Sequence, residues 1–144
     1  MIEEGMVLHG KKNGQWVTYH GDVRNFPKTI ANYADDVLTG PQMEINPYGQ
    51  FLAVSEYRNG QLNGRMARYN YTRLVEEMYY KNGVLDGPYT LYFDDSDIKQ
   101  RTSNFKNGLE DGTVRFFNEQ GKITMEYEYK EGKKISGGMV EQRQ

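Results

Sequence analysis

A pattern that returns at nearly constant spacing restricts this chain more than any other feature. Tyr57-Arg58-Asn59-Gly60 with Gly64, Tyr80-Lys81-Asn82-Gly83 with Gly87, and Phe105-Lys106-Asn107-Gly108 with Gly112 share one frame: an aromatic, a glycine three residues on, and a second glycine four further. Tyr33, Asp36 and Gly40 are a weaker copy. At the C-terminal end Tyr129 and Gly132 fit, with Ser136 in the second glycine position and Gly137 following. Val7, Gly10 and Gly14 fit at the N-terminal end without the aromatic. The steps from Gly14 through Gly40, Gly64, Gly87 and Gly112 to Gly137 are 26, 24, 23, 25 and 25 residues. A fixed period in this range marks an array of supersecondary units, each too small to bury its own apolar face.

Asn-Gly is a strong signal for a two-residue hairpin turn, because both positions of a type I′ turn require positive φ. The runs between turns, such as Tyr89-Thr90-Leu91-Tyr92-Phe93, are short and rich in β-branched and aromatic residues. Pro27, Pro41, Pro47 and Pro88 fall at strand starts or in tips, where a missing N–H does least harm. The expected fold is therefore all-β: an elongated single antiparallel sheet of tandem β-hairpins. We expect one domain over 1–144, with about five repeats between residues 7 and 137 and a short polar tail over 138–144.

A second large side chain stands five residues after each second glycine: Tyr19, Ile45, Tyr69, Tyr92 and Phe117. Side chains alternate along a strand, so residues three and five after the glycine share a side. Placing that column on the same side as Tyr33, Tyr57, Tyr80, Phe105 and Tyr129 predicts a ladder of rings stacked from repeat to repeat. Gln42, Glu44, Glu56, Arg68, Asn104 and Glu128 then fall on a solvated opposite face. That face changes character along the array, because the residue two after the glycine is Trp16, Gln42, Met66, Tyr89 and Val114 in turn. Trp16, Met66, Tyr89, Leu91 and Phe116 form the candidate partner surface, since aromatics and Met are enriched at interface centres. The competing reading has this face covered by a terminal segment or curled inward.

Chemistry finds little to work with. The absence of cysteine removes disulfides and thiolates. His9 and His20 are too few for a histidine metal site. Asp94-Asp95-Ser96-Asp97 lacks the glycine and distant glutamate of a calcium loop and reads as a hairpin tip. Glu76 and Glu77 are neighbours in sequence, so a strand sends them to opposite sides. No glycine pattern matches a phosphate-binding loop. We expect no catalytic residues, no cofactor and no metal.

The net charge of −2 arises from 18 basic and 20 acidic residues. Neither half of the chain carries the basic excess that nucleic acid or an anionic membrane selects. No stretch approaches the ~18 apolar residues of a membrane-spanning helix, and MIEEGMVLHG lacks the basic start and apolar run of a secretory signal. A soluble, cytoplasmic protein is expected.

The unit Tyr-x-Asn-Gly-x-x-x-Gly, best preserved between Tyr57 and Phe117, resembles the MORN repeat in the bacterial variant found in YwqK-type proteins, often labelled antitoxins. The resemblance runs from about Val7 to Gly137. It implies a twisted sheet of hairpins acting as a scaffold or binding module. Asp36 for glycine and Ile45 for the aromatic depart from it and put the second turn's geometry in question. The partner expected is another protein, with neutralisation of that partner as one form. Peripheral membrane or phospholipid binding is the alternative, and open sheet edges allow self-association.

Overall fold

The computed structural model describes residues 1–21 and 25–142. It forms one antiparallel sheet of β1 (Glu3–Leu8), β2 (Lys11–Tyr19), β3 (Pro27–Ala34), β4 (Val37–Leu38), β5 (Gly40–Ile45), β6 (Phe51–Arg58), β7 (Gln61–Asn70), β8 (Arg73–Lys81), β9 (Val84–Leu85), β10 (Gly87–Tyr92), β11 (Lys99–Lys106), β12 (Leu109–Glu110), β13 (Gly112–Phe117), β14 (Ile123–Lys130) and β15 (Lys133–Met139). Twelve strands follow one another across the sheet in chain order, while β4, β9 and β12 pair only with β3, β8 and β11. Strands β1 and β15 lie at the two ends of the path, so the sheet does not close. Strand β15 and the bond from Val140 N to Thr124 O, at 2.8 Å, carry pairing into the region expected to be a tail. Residues 143 and 144 of that tail lie outside the described residues.

Six turns share one backbone geometry. Asn59-Gly60, Asn82-Gly83 and Asn107-Gly108 have φ between 50° and 83°, as the Asn-Gly signal requires. His9-Gly10 and Glu131-Gly132 adopt the same shape. So does Asp35-Asp36, at 48° and 69°, which answers the question raised by the missing glycine: Asp tolerates this region of backbone space.

The turns are joined edge to edge, which the sequence reading did not anticipate. The second turn residue donates its amide to a carbonyl of the preceding hairpin: Asp36 to Lys12, Gly60 to Leu38, Gly83 to Leu62, Gly108 to Leu85 and Gly132 to Glu110, at 2.8 to 2.9 Å. The first turn residue donates to a side chain just before the preceding second glycine. These pairs are Asp35 with Asn13 (3.1 Å), Asn82 with Asn63 (3.0 Å), Asn107 with Asp86 (3.3 Å) and Glu131 with Asp111 (3.3 Å). In four of these junctions both turn amides, which a two-residue hairpin cannot satisfy internally, thus find partners in the neighbouring repeat, and in the Asn59-Gly60 turn the second does.

At the opposite end of the strands every repeat carries a β-bulge at the same place, between Thr18 and Tyr19, Glu44 and Ile45, Arg68 and Tyr69, Leu91 and Tyr92, and Phe116 and Phe117. One extra residue in the second strand kinks the ladder and increases its twist. The loops beyond differ. Asn46 Oδ1 accepts from the amides of Tyr48 and Gln50, and Asn118 Oδ1 from those of Gln120 and Lys122, so these two five-residue loops are copies. The third repeat closes instead on Tyr71-Thr72, both at positive φ.

Register corrects the face assignment. Gly14 stands opposite Tyr33, Gly40 opposite Tyr57, Gly64 opposite Tyr80, Gly87 opposite Phe105 and Gly112 opposite Tyr129. Directly opposed residues share a face, so residues two and four after each glycine lie with these aromatics, and those three and five after lie opposite. Trp16, Met66, Tyr89, Leu91 and Phe116 therefore share a face with Tyr33 to Tyr129, whereas Val17, Ala67 and Arg115 do not. The residues expected to form one solvated face divide, with Gln42, Glu44 and Arg68 on the aromatic side and Glu56, Asn104 and Glu128 on the other.

A ladder of stacked rings does not form either. Consecutive second-strand aromatics are two strand spacings apart, about 9.6 Å, beyond the ~4.5–7 Å of ring contact. Among the described residues the ring contacts are edge-to-face pairs of Tyr89 with Phe105 (6.0 Å) and Phe116 with Tyr127 (6.2 Å). Small buried residues fill the middle of the aromatic face: Ala31, Ser55 and Ser103 in second strands, with Met78 and Val114.

Candidate functional site

The five expected surface residues separate in the structure. Trp16 is buried. Strand β1 brings Gly5 opposite it, so closely that a Cβ on Gly5 would lie 2.2 Å from the indole. The indole Nε1 donates to the Met6 carbonyl at 3.1 Å, and Lys12 Nζ, itself 3.1 Å from Glu3, stands 4.4 Å above the ring. The indole thus packs across Gly5 of the neighbouring edge strand and ties the first hairpin together.

Met66, Tyr89, Leu91 and Phe116 remain together, all half-buried, on β7, β10 and β13. Pairing explains their company: Met66 faces Met78, Leu91 lies between Glu76 and Arg101, and Phe116 faces Arg101. The Arg101 guanidinium stands 5.8 Å from the Tyr89 ring centre and 5.5 Å from that of Phe116. It pairs with Glu110, which also accepts from Ser103 Oγ at 3.1 Å. Arg101 Nε is buried with no hydrogen-bond partner, as befits a group held between rings. Tyr89 donates its hydroxyl to Glu76, whose other oxygen takes Arg68 Nε at 2.8 Å. Burial, and then the bond to Glu76, pushes the Tyr89 phenol up to about 12. The side chain of Arg68 is half exposed and marks the rim.

Sequence reasoning found these apolar members but missed Arg68, Glu76, Arg101 and Glu110. Each stands at an even offset from a repeat landmark, and correct strand register would have placed them on the same face. At the bulge end of the same strands lies a cleft of about 730 Å³ lined by residues including Tyr69, Val75, Leu91, Tyr92 and Gln100.

The remaining candidate groups are dispersed. His20 Nε2 donates to the Ile45 carbonyl at 2.7 Å, and His9 occupies a turn. Glu76 pairs with Arg68 while Glu77 pairs with Arg65 on the other face. Asp94, Asp95 and Asp97 form an exposed tip, where Asp97 reaches Arg73 at 2.9 Å. Among the described residues no group of three or more His, Cys, Asp or Glu is arranged to hold a metal, and no helix is long and apolar enough to cross a membrane.

The fold defines the chain as a tandem hairpin-array protein. No family model matches its sequence, and no curated protein matches it.

Proposed function

We propose that this protein is a non-catalytic interaction module that binds another protein through the strip of Met66, Tyr89, Leu91 and Phe116, with Arg68 and Arg101 set among them. The observation that carries this reading is the Arg101 guanidinium held between Tyr89 and Phe116 on an open sheet face. Tyr and Phe have few rotatable bonds and Arg101 is already held by two rings and Glu110, so little conformational freedom is lost on binding, and aromatics and Arg are enriched among the residues that dominate interface energetics. The resemblance to MORN repeats of the YwqK type points the same way, with antitoxin-like neutralisation as the form its family label gives.

Binding to anionic lipid or nucleic acid is less well supported. Arg65, Arg68, Arg73, Arg101 and Arg115 each pair with a carboxylate, so their charge is already spent within the sheet.

The test is affinity capture from lysate of the native host, followed by titration of the purified partner. A Tyr89→Ala/Phe116→Ala variant is expected to lose that partner, and a Thr90→Ala/Thr113→Ala control on the other face to retain it, both remaining folded by circular dichroism. Equal retention by both variants would reject this surface. Salt-sensitive sedimentation with anionic vesicles, and no protein partner, would favour the membrane alternative.

A further inference from the structure

The two ends of the sheet are complementary to each other. Twelve strands lie on the path, an even number, so a second copy placed beyond β15 presents its β1 antiparallel to it without inversion. Backbone phase agrees. Residues of an antiparallel strand alternate in the neighbour to which they bond. Ile2 O accepts from Tyr19 N, so Ile2 and Glu4 bond inward to β2, leaving Glu3, Gly5 and Val7 facing outward. Val140 N donates to Thr124 O, so Gly138 and Val140 bond inward to β14, leaving Gly137 and Met139 facing outward.

The faces agree as well. Gly5 opposes Trp16 and Gly137 opposes Tyr127, so both glycines lie in the middle row of the aromatic face. In every internal junction the residue four before the turn, such as Ala31 or Ser55, meets that row of the preceding strand. Gly5 holds the same position before His9-Gly10. Setting Gly5 against Gly137 brings Glu4 to Gly138 and Glu3 to Met139. The Gly10 amide then lies at the level of the Lys134 carbonyl, the position used by Asp36 on Lys12 and by Gly60 on Leu38. Met6, Val7 and Leu8 on β1, and Ile135 and Met139 on β15, are all exposed.

We propose that copies of this chain associate head to tail, β15 of one accepting β1 of the next in the register that joins its own hairpins. The contact is heterologous, so it leaves a free edge at each end and growth continues past the dimer. The occupant is fixed by the internal junctions: the incoming strand must be a pre-turn strand with a small residue four before the turn, and β1 is one.

Sedimentation velocity over a concentration series, at matched salt, tests this. The native chain is expected to increase in mass with concentration beyond a dimer. Val7→Pro and Met139→Pro each remove an outward amide and leave the inward bonds in place; each variant alone is expected to stay monomeric. Their equimolar mixture is expected to show about a twofold rise in mass, because the open β15 of one takes the open β1 of the other. Val7→Lys and Met139→Lys repeat the comparison should either proline variant fail to fold. A native chain that remains monomeric at its highest soluble concentration would overturn the proposal. So would association of a singly blocked variant with itself, which would mean like edges pair.

Discussion

Single residues bind neighbouring repeats at the turn edge. The acidic or amide residue before the second glycine, Asn13, Asn63, Asp86 or Asp111, accepts from the next turn's first amide. Asp111→Ala is expected to cost about 1 kcal/mol in urea unfolding, and Thr39→Ala, which removes a residue without such an acceptor, much less. The Asn-Gly turns were legible because their requirement for positive φ is local. The adjoining Asn or Asp was equally visible, yet its role was not, because its partner lies about twenty residues away and only the stacking of turns brings them together. Tyr89 gives a second residue-scale prediction. Its folded pKa is raised from 10.0 to about 12, so the stabilisation held by the neutral phenol is complete below pH 10 and declines as pH rises toward 12. Tyr89→Phe is expected to reduce that alkaline decline in a series of thermal melts, leaving the part due to Tyr57 and Tyr92, whose phenols burial also raises.

Strands decide which side chains become a site. Hairpin lengths and strand order follow from the period, and both agree with the structure. The face of each strand depends on a single-residue choice of register, and the second glycine fixes it by standing opposite an aromatic. Tyr19, Ile45, Tyr69, Tyr92 and Phe117 stand an odd number of residues after that glycine, so alternation along the strand sends the column to the face away from the other aromatics. The apolar half of the candidate strip was therefore readable as residues and not as a place. Of its charged members only Arg68 was read, as solvent-facing, and it is half exposed at the rim, while Arg101 is held between the Tyr89 and Phe116 rings. Strand β1 had the weakest signal because it lacks the aromatic, yet its Gly5 is the surface on which the only tryptophan packs. Gly5→Ala is expected to displace the indole, shift its fluorescence to longer wavelength and cost on the order of 1–3 kcal/mol. Unchanged emission would show that the indole does not pack against Gly5.

As a whole the molecule is a one-dimensional array, in which each hairpin touches chiefly its neighbours and stability is the sum of repeats and junctions. Apart from Trp16, Ile45 and Met78 the buried side chains are Ala, Ser and Val, so strand pairing and turn stacking carry a large part of the junction energy. Such an architecture offers an uninterrupted face on which neighbouring repeats place one or two residues each, which is how β7, β10 and β13 assemble the candidate strip. Stacked turns join these hairpins into one structure, and native-state amide hydrogen exchange reads that joining residue by residue. The amides of Asp36, Gly60, Gly83, Gly108 and Gly132 have no acceptor within their own hairpins, so the stacked array predicts protection comparable to that of the adjoining strands. Exchange of all five at the rate of free loop amides, beside protected strands, would contradict it.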